Sequence, residues 1–179
     1  MTLRTILHHP DNRLRQKCPD HELFNDDLKT LVSDMFETMY FEKGIGLSAI
    51  QINIITRVIT IDVSKEQNKQ LVLVNPIITE KKEPVLFDEG CLSVPGFYEK
   101  VERYNCIRYR ARDINGNEFE DDASELLAIC IQHEIDHLDG KLFVDYLSDM
   151  KRSKIEKGLL KQKQTSSQVK RIDNPYIND

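Results

Sequence analysis

The sequence predicts an α+β fold: antiparallel β-sheets packed around a central buried helix that carries an H-E-x-x-H pentad, plus a C-terminal helix. Three observations carry this reading. The run DDASELLAICIQHEIDHLDG, residues 121–140, has a middle (LLAICI) that is apolar on nearly every helical face, the mark of a helix enclosed by protein. Several strand-patterned runs lie together between residues 57 and 121 and do not alternate with helices, which argues against a parallel βαβ sheet. One amphipathic helix precedes them, and one polar helical stretch follows the buried helix.

Along the chain, Asn25 is a good N-cap for a first helix reaching about Lys43. Leu28, Leu31, Val32, Met35 and Met39 recur at helical spacing on one face, and Gly44 is the expected stop. Strands are expected at 57–63 (RVITIDV), 70–75 (QLVLVN), around 84–90 (PVLFDEG), 98–104 (YEKVERY), 106–112 (CIRYRAR) and 117–121 (NEFED). Asn115-Gly116 reads as a two-residue hairpin turn before the last of these. Asp122, with Glu125 three residues on, forms a capping-box-like start to the buried helix, and Gly140 ends it. The expected organisation is a catalytic domain over 1–148, a basic helix over 149–164 and a flexible tail over 165–179.

Composition narrows the class. Hydrophobic residues make up 40% of the 179, enough for a core, and no apolar run approaches the roughly 20 residues of a membrane span. The N-terminal stretch does not read as a signal peptide, and four cysteines without a C-x-x-C pair read as thiols, so a cytoplasmic protein is expected. The net charge of −5 is uneven. Residues 151–179 hold eight Lys/Arg against three Asp/Glu, a balance of +5 on a body of −10. A basic end on an acidic body points to an anionic partner such as a nucleic-acid surface, or to a plain solvated helix.

Chemistry concentrates in the pentad. His133 and His137 lie one turn apart, so both rings project from the same face and can reach one metal ion. Glu134 is rotated about 100° from His133, which takes it out of the ligand set and leaves it beside a bound water. A third ligand has several possible sources. The metzincin continuation fails, because Phe143 stands where a histidine is needed. Glu156, 19 residues beyond His137, has the spacing of a gluzincin ligand, but Lys154 and Lys157 mark its surroundings as solvated. Cys91, in DEGCLSVPG, offers a thiolate from a tight loop, and Cys-His-His leaves an open fourth position, as catalytic sites do.

Three motifs in order, GIGLSAIQ (44–51), EGCLS (89–93) and QHEIDH (132–137), together with ILHHPDNRLR near the start, resemble those of the peptide deformylases over about residues 1–150. The resemblance implies that Cys91, His133 and His137 hold one divalent metal, usually Fe(II), with Zn, Ni or Co accepted by such a set. It implies Glu134 as general base and acid for attack of metal-bound water on a formyl carbon, and Gln51 with the Leu92 N–H as oxyanion donors. Substrate contacts are implied at Ile45, Gly46, Gly90, Ile129 and Cys130, the last two walling a methionine pocket. Glu89 and Arg103 are expected to pair behind the cysteine loop. The implied partners are N-formylmethionyl nascent peptides and, through the basic helix, the ribosome, with no membrane or DNA. One position departs from the family pattern: Ser48 stands where alanine is usual. The competing readings are a gluzincin-like peptidase using Glu156 and a non-catalytic metal-binding or ribosome-associated module.

Overall fold

The structure is a computed structural model of the chain and describes residues 2–165, with side chains through 162. The expected tail over 165–179 therefore lies almost wholly outside the described residues. Among those described, no helix is long and apolar enough to cross a membrane.

Helix α1 spans Asp26–Phe41, and the Asn25 side chain accepts from the Asp27 and Leu28 N–H groups, as its N-cap role requires. The helix ends differently from expectation. Lys43, not Gly44, takes the left-handed conformation, at φ 56°. Gly44 instead lies against Leu92, whose Cδ1 would sit 2.7 Å from a Cβ there.

A single five-stranded antiparallel sheet follows, in the order β1 (Gly46–Ser48), β2 (Val58–Ile61), β3 (Leu71–Glu89), β4 (Glu99–Arg112) and β5 (Glu118–Ser124). The runs expected separately at 70–75 and 84–90 belong to one strand, as do those at 98–104 and 106–112. Pro76 and Pro84 do not break β3, whose register against β4 shifts between Val74 and Ile77 and again between Ile78 and Glu80, as bulges allow. The turn before β5 is longer than two residues: Asp113 Oδ1 accepts from the Asn115 and Asn117 N–H groups, and Gly116 sits at φ 88°.

Helix α2 spans Glu125–Leu138 and starts two residues later than expected. Asp122 is part of β5, where it pairs with Arg108 across the ladder, so Ser124 stands at the N-cap. Gly140 ends the helix at φ 74°, and a Cβ there would meet the Arg15 carbonyl at 2.5 Å. Ala128, Ile131, Ile135 and Leu138 of α2 pack with Ile59, Ile61, Leu73, Ile107 and Tyr109 of the sheet in the central core. Each such aliphatic side chain removed from water contributes about 1.5–3 kcal/mol. Polar bonds fix the helix along its length as well. Gln132 imitates a strand edge, accepting from the Tyr104 N–H and donating to the Tyr104 carbonyl.

Helix α3 spans Asp149–Thr165. Ile155 and Leu159 are buried with Val94, Val101, Phe143 and Val144, and Gly158 lies against the Phe97 ring.

Candidate metal centre and cavity

Helix α2 supplies two of three converging donors and the loop after β3 supplies the third. His133 Nε2 and His137 Nε2 are 3.2 Å apart, and Cys91 Sγ is 3.2 Å from His137 Nε2. One ligand atom from each of the three residues lies within 4.8 Å of the others. A tetrahedral ion with metal–nitrogen distances of about 2.0–2.1 Å and a metal–sulfur distance of about 2.3 Å sets donor separations of about 3.4–3.6 Å, close to those found. The His133 Nδ1 faces Glu89 Oε2 at 2.8 Å and must donate to it, which leaves the Nε2 lone pair for the cluster.

The electrostatics favour a cation. Burial alone would push the His133 ring down, yet the Cys91 sulfur and the Glu89 carboxylate hold it well above its ordinary value, so a cation at this place displaces the proton on its Nε2. Burial and the neighbouring His133 push His137 well below, which keeps its ring neutral, the form that ligates. These three residues fit a resident divalent ion. Glu156 does not join them. Its carboxylate meets His9 Nε2 at 3.3 Å and its side chain is 40% exposed, so the gluzincin arrangement is absent.

Behind the donors runs a buried ion-pair network. Arg103 on β4 donates twice to Glu89, to Oε1 through Nε and to Oε2 through Nη2, and once to Asp136 at 2.6 Å. Tyr146 O–H donates to the same Asp136, and the guanidinium lies 4.9 Å from the Tyr146 ring centre. Burial pushes the Glu89 carboxyl up, but His133 and Arg103 outweigh it and bring it down to about 2. Asp136 and Tyr146 were not expected here. No local pattern announces the partner of Asp136, which lies 33 residues away.

Gly46, Glu134, Gln51 and Cys91 line a cavity of about 840 Å³, whose walls include Ile45, Gly90, Leu92, Ile129, Cys130 and His133. Glu134 is 3% exposed. Burial raises its carboxyl, with His133 and Ser48 pulling the other way. Its Oε2 receives the Ser48 hydroxyl at 2.6 Å, and its Oε1 lies where a Cβ on Gly46 would come within 2.6 Å. Gly46 thus makes room first for this carboxylate. Gly90 makes room for the Tyr98 ring, which a Cβ would meet at 2.2 Å.

Gln51 is pinned at both ends of its amide. Its Oε1 accepts from the Ser48 N–H at 2.8 Å, while Nε2 donates to Ser93 Oγ at 3.1 Å and lies 3.6 Å from Cys91 Sγ. Ser93 was missed as a contributor although it closes the EGCLS motif; its hydroxyl is buried and aims the Gln51 amide at the cysteine.

A sequence profile of the family described as polypeptide deformylase matches residues 3–153. A peptide deformylase of Azotobacter vinelandii is 52% identical over 165 residues, spanning 90% of this chain and 97% of that protein. A peptide deformylase of Pseudomonas aeruginosa is 49% identical over 163 residues, with the same coverage of each. Among solved structures, a peptide deformylase from Legionella pneumophila superposes with a TM-score of 0.88 at 45% identity, over 91% of this chain and 96% of that one. A peptide deformylase from Ehrlichia chaffeensis in complex with actinonin gives 0.88 at 37% identity, over 92% and 100%.

Proposed function

The chain belongs to the peptide deformylase family, and from that premise we propose that it hydrolyses the formyl group from the N-terminal methionine of newly made polypeptides, with Cys91, His133 and His137 holding the metal. It is a metalloenzyme by family. The observation that carries the ligand assignment is the convergence of one sulfur and two Nε2 atoms beside a buried glutamate on the cavity wall. A divalent ion held there supplies a Lewis acid for the formyl carbonyl and makes water acidic enough to react near neutral pH.

Everything else falls to the chain. Glu134 takes a proton from the attacking water and returns it to the departing methionine amine as the formyl C–N bond breaks, releasing formate and a free N-terminus. Its raised carboxyl suits a group that must both take and give a proton near neutrality. The Gln51 Nε2 and the Leu92 N–H stabilise the negative oxygen that develops on the formyl carbon; one such donor is worth about 3–4 kcal/mol in the transition state. The rigid hold on Gln51 by Ser48 and Ser93 supports that role. Ile129 and Cys130 wall the methionine side chain, and Ile45, Gly46 and Gly90 border the peptide. A narrow space at the formyl hydrogen rejects acetyl groups by collision.

Fe(II) is our choice of native metal, with Zn, Ni and Co accepted, since a thiolate with two imidazoles suits all four. We read residues 1–148 as the catalytic unit with helix 149–164 packed on it, working in the cytoplasm where formylated chains emerge. Ribosome binding through α3 draws on its basic side chains.

The test is formate release from formyl-Met-Ala-Ser by anaerobically purified protein, with metal analysis on the same sample. Cys91→Ala is expected to lose metal and turnover together, Glu134→Ala to keep metal and lose turnover, and Glu156→Ala to keep both. A metal-loaded protein that releases no formate refutes the function, and a Cys91→Ala protein with full metal refutes the ligand set.

A further inference from the structure

The residue that departs from the family pattern sits between the two groups proposed for the chemistry. Ser48 is completely buried at the end of β1. Its hydroxyl lies 2.6 Å from Glu134 Oε2 and 2.9 Å from the Glu134 carbonyl oxygen. Its N–H donates to Gln51 Oε1 at 2.8 Å. An alanine at this position keeps the N–H and loses the hydroxyl, so the usual family residue retains only the second tie.

From this juxtaposition we infer that Ser48 is a positioning residue whose hydroxyl locks the Glu134 carboxylate with Oε1 turned to the cavity, while its N–H orients Gln51, so that one residue sets proton transfer and oxyanion stabilisation in register. This rests on the reading of Glu134 and Gln51 given above. Three features carry it. The one hydroxyl hydrogen has two acceptors of the same residue within reach, and the shorter contact, 2.6 Å against 2.9 Å, is to the carboxylate. The opposite carboxylate oxygen lies close to Gly46, where a built Cβ would come within 2.6 Å of it, so each oxygen of the carboxylate has a close neighbour. Ser48 and the two residues after it, Ala49 and Ile50, are all fully buried, so the hydroxyl faces no bulk solvent. Ser48→Ala therefore removes a bond between two protein groups without adding a side chain that could replace it. A terminal carboxyl torsion is broad and roughly two-fold when nothing fixes it, so losing the hydroxyl frees Glu134 to rotate.

The experiment compares metal-loaded, full-length wild type, Ser48→Ala and Ser48→Thr in steady-state deformylation of formyl-Met-Ala-Ser, with metal content measured and a crystal structure of metal-loaded Ser48→Ala. Alanine is the family's usual residue here, so the variant should fold. The expected result is a kcat about five- to tenfold lower with KM within about twofold. Metal content is expected to stay unchanged, with the Glu134 carboxylate rotated or split between two orientations. Ser48→Thr restores the hydroxyl and is expected to recover most of the lost kcat. The inference is overturned if Ser48→Ala keeps kcat within about twofold, if its loss lies in KM, if Ser48→Thr is no faster than Ser48→Ala, or if Glu134 stands unmoved in the crystal. A wild type that releases no formate counts against the deformylase reading instead, and the Glu134 orientation in Ser48→Ala still decides this inference.

Discussion

Replacing Gly46 by alanine should separate folding from catalysis. The Gly46 backbone lies outside the left-handed region, since the positive-φ glycines among the described residues are Gly96, Gly116 and Gly140, so alanine meets no conformational barrier there. The added methyl does meet atoms: Glu134 Oε1 at 2.6 Å, Cys130 Sγ at 2.7 Å and Glu134 Cδ at 3.1 Å. Carbon atoms prefer neighbours at about 3.5–4.0 Å, so the carboxylate and the sulfur must each retreat by roughly 0.7–1 Å. Both are ends of side chains, and overpacking of that size costs about 1–3 kcal/mol. A catalytic group misplaced by about 1 Å, however, loses about 10²-fold in rate. We therefore expect Gly46→Ala to fold, bind a full complement of metal and show kcat about 100-fold lower. Steady-state kinetics, thermal denaturation and metal analysis on one preparation test this. A kcat within about fivefold of wild type at full metal content would refute the argument, as would a variant that loses its metal while Glu134 stays in place.

Two further outcomes follow from the network behind the metal and from the last helix. Glu89, ordinarily near 4.5, stands at about 2 in the folded protein, a difference worth roughly 3 kcal/mol. Because the folded value is depressed, this stability is present above about pH 4.5 and disappears as pH falls through about 2. Urea titrations should find Glu89→Gln less stable by roughly 3 kcal/mol near neutrality, with the gap closing in acid; a gap independent of pH would contradict the account. On α3, reversing the exposed Lys154 and Lys157 to glutamate spares the buried Ile155 and Leu159. It should weaken binding to ribosomes and flatten its salt dependence by about one per lost phosphate contact, as read by co-sedimentation. Unchanged sedimentation at low salt would remove the ribosome from the proposal.

Much of this was legible in the chain because the relevant signals are local. Asn25 and the spacing of Leu28, Val32, Met35 and Met39 gave α1, and the unbroken apolar middle of residues 126–131 gave a buried α2. The three motifs named the residues that gather at the cavity. The misread hairpin turn before β5 was set locally by Asp113, but the other misreadings share one cause: a distant partner outcompeted a local preference. Asp122 is as good a cap as Ser124 in isolation, but Arg108 draws it into β5. Pro76 and Pro84 look like strand ends, yet long pairing with β4 carries β3 past both. Gly44 looks like a helix stop, but Lys43 takes the left-handed turn and Gly44 lies against Leu92 from across the fold. Ser48 shows the same limit most sharply, because its partner Glu134 lies 86 residues further on.

The bonds made by Gln132, His133, Glu134 and Asp136 give α2 a property that apolar packing alone does not supply. Neighbouring positions are tied to separate segments: Gln132 and Asp136 to β4, His133 to the end of β3, and Glu134 to β1. A helix pegged at successive positions to three different strands can neither slide along its axis nor turn about it without breaking several bonds at once. The alignment of the reactive face is therefore set by these pegs as well as by the apolar filling around them.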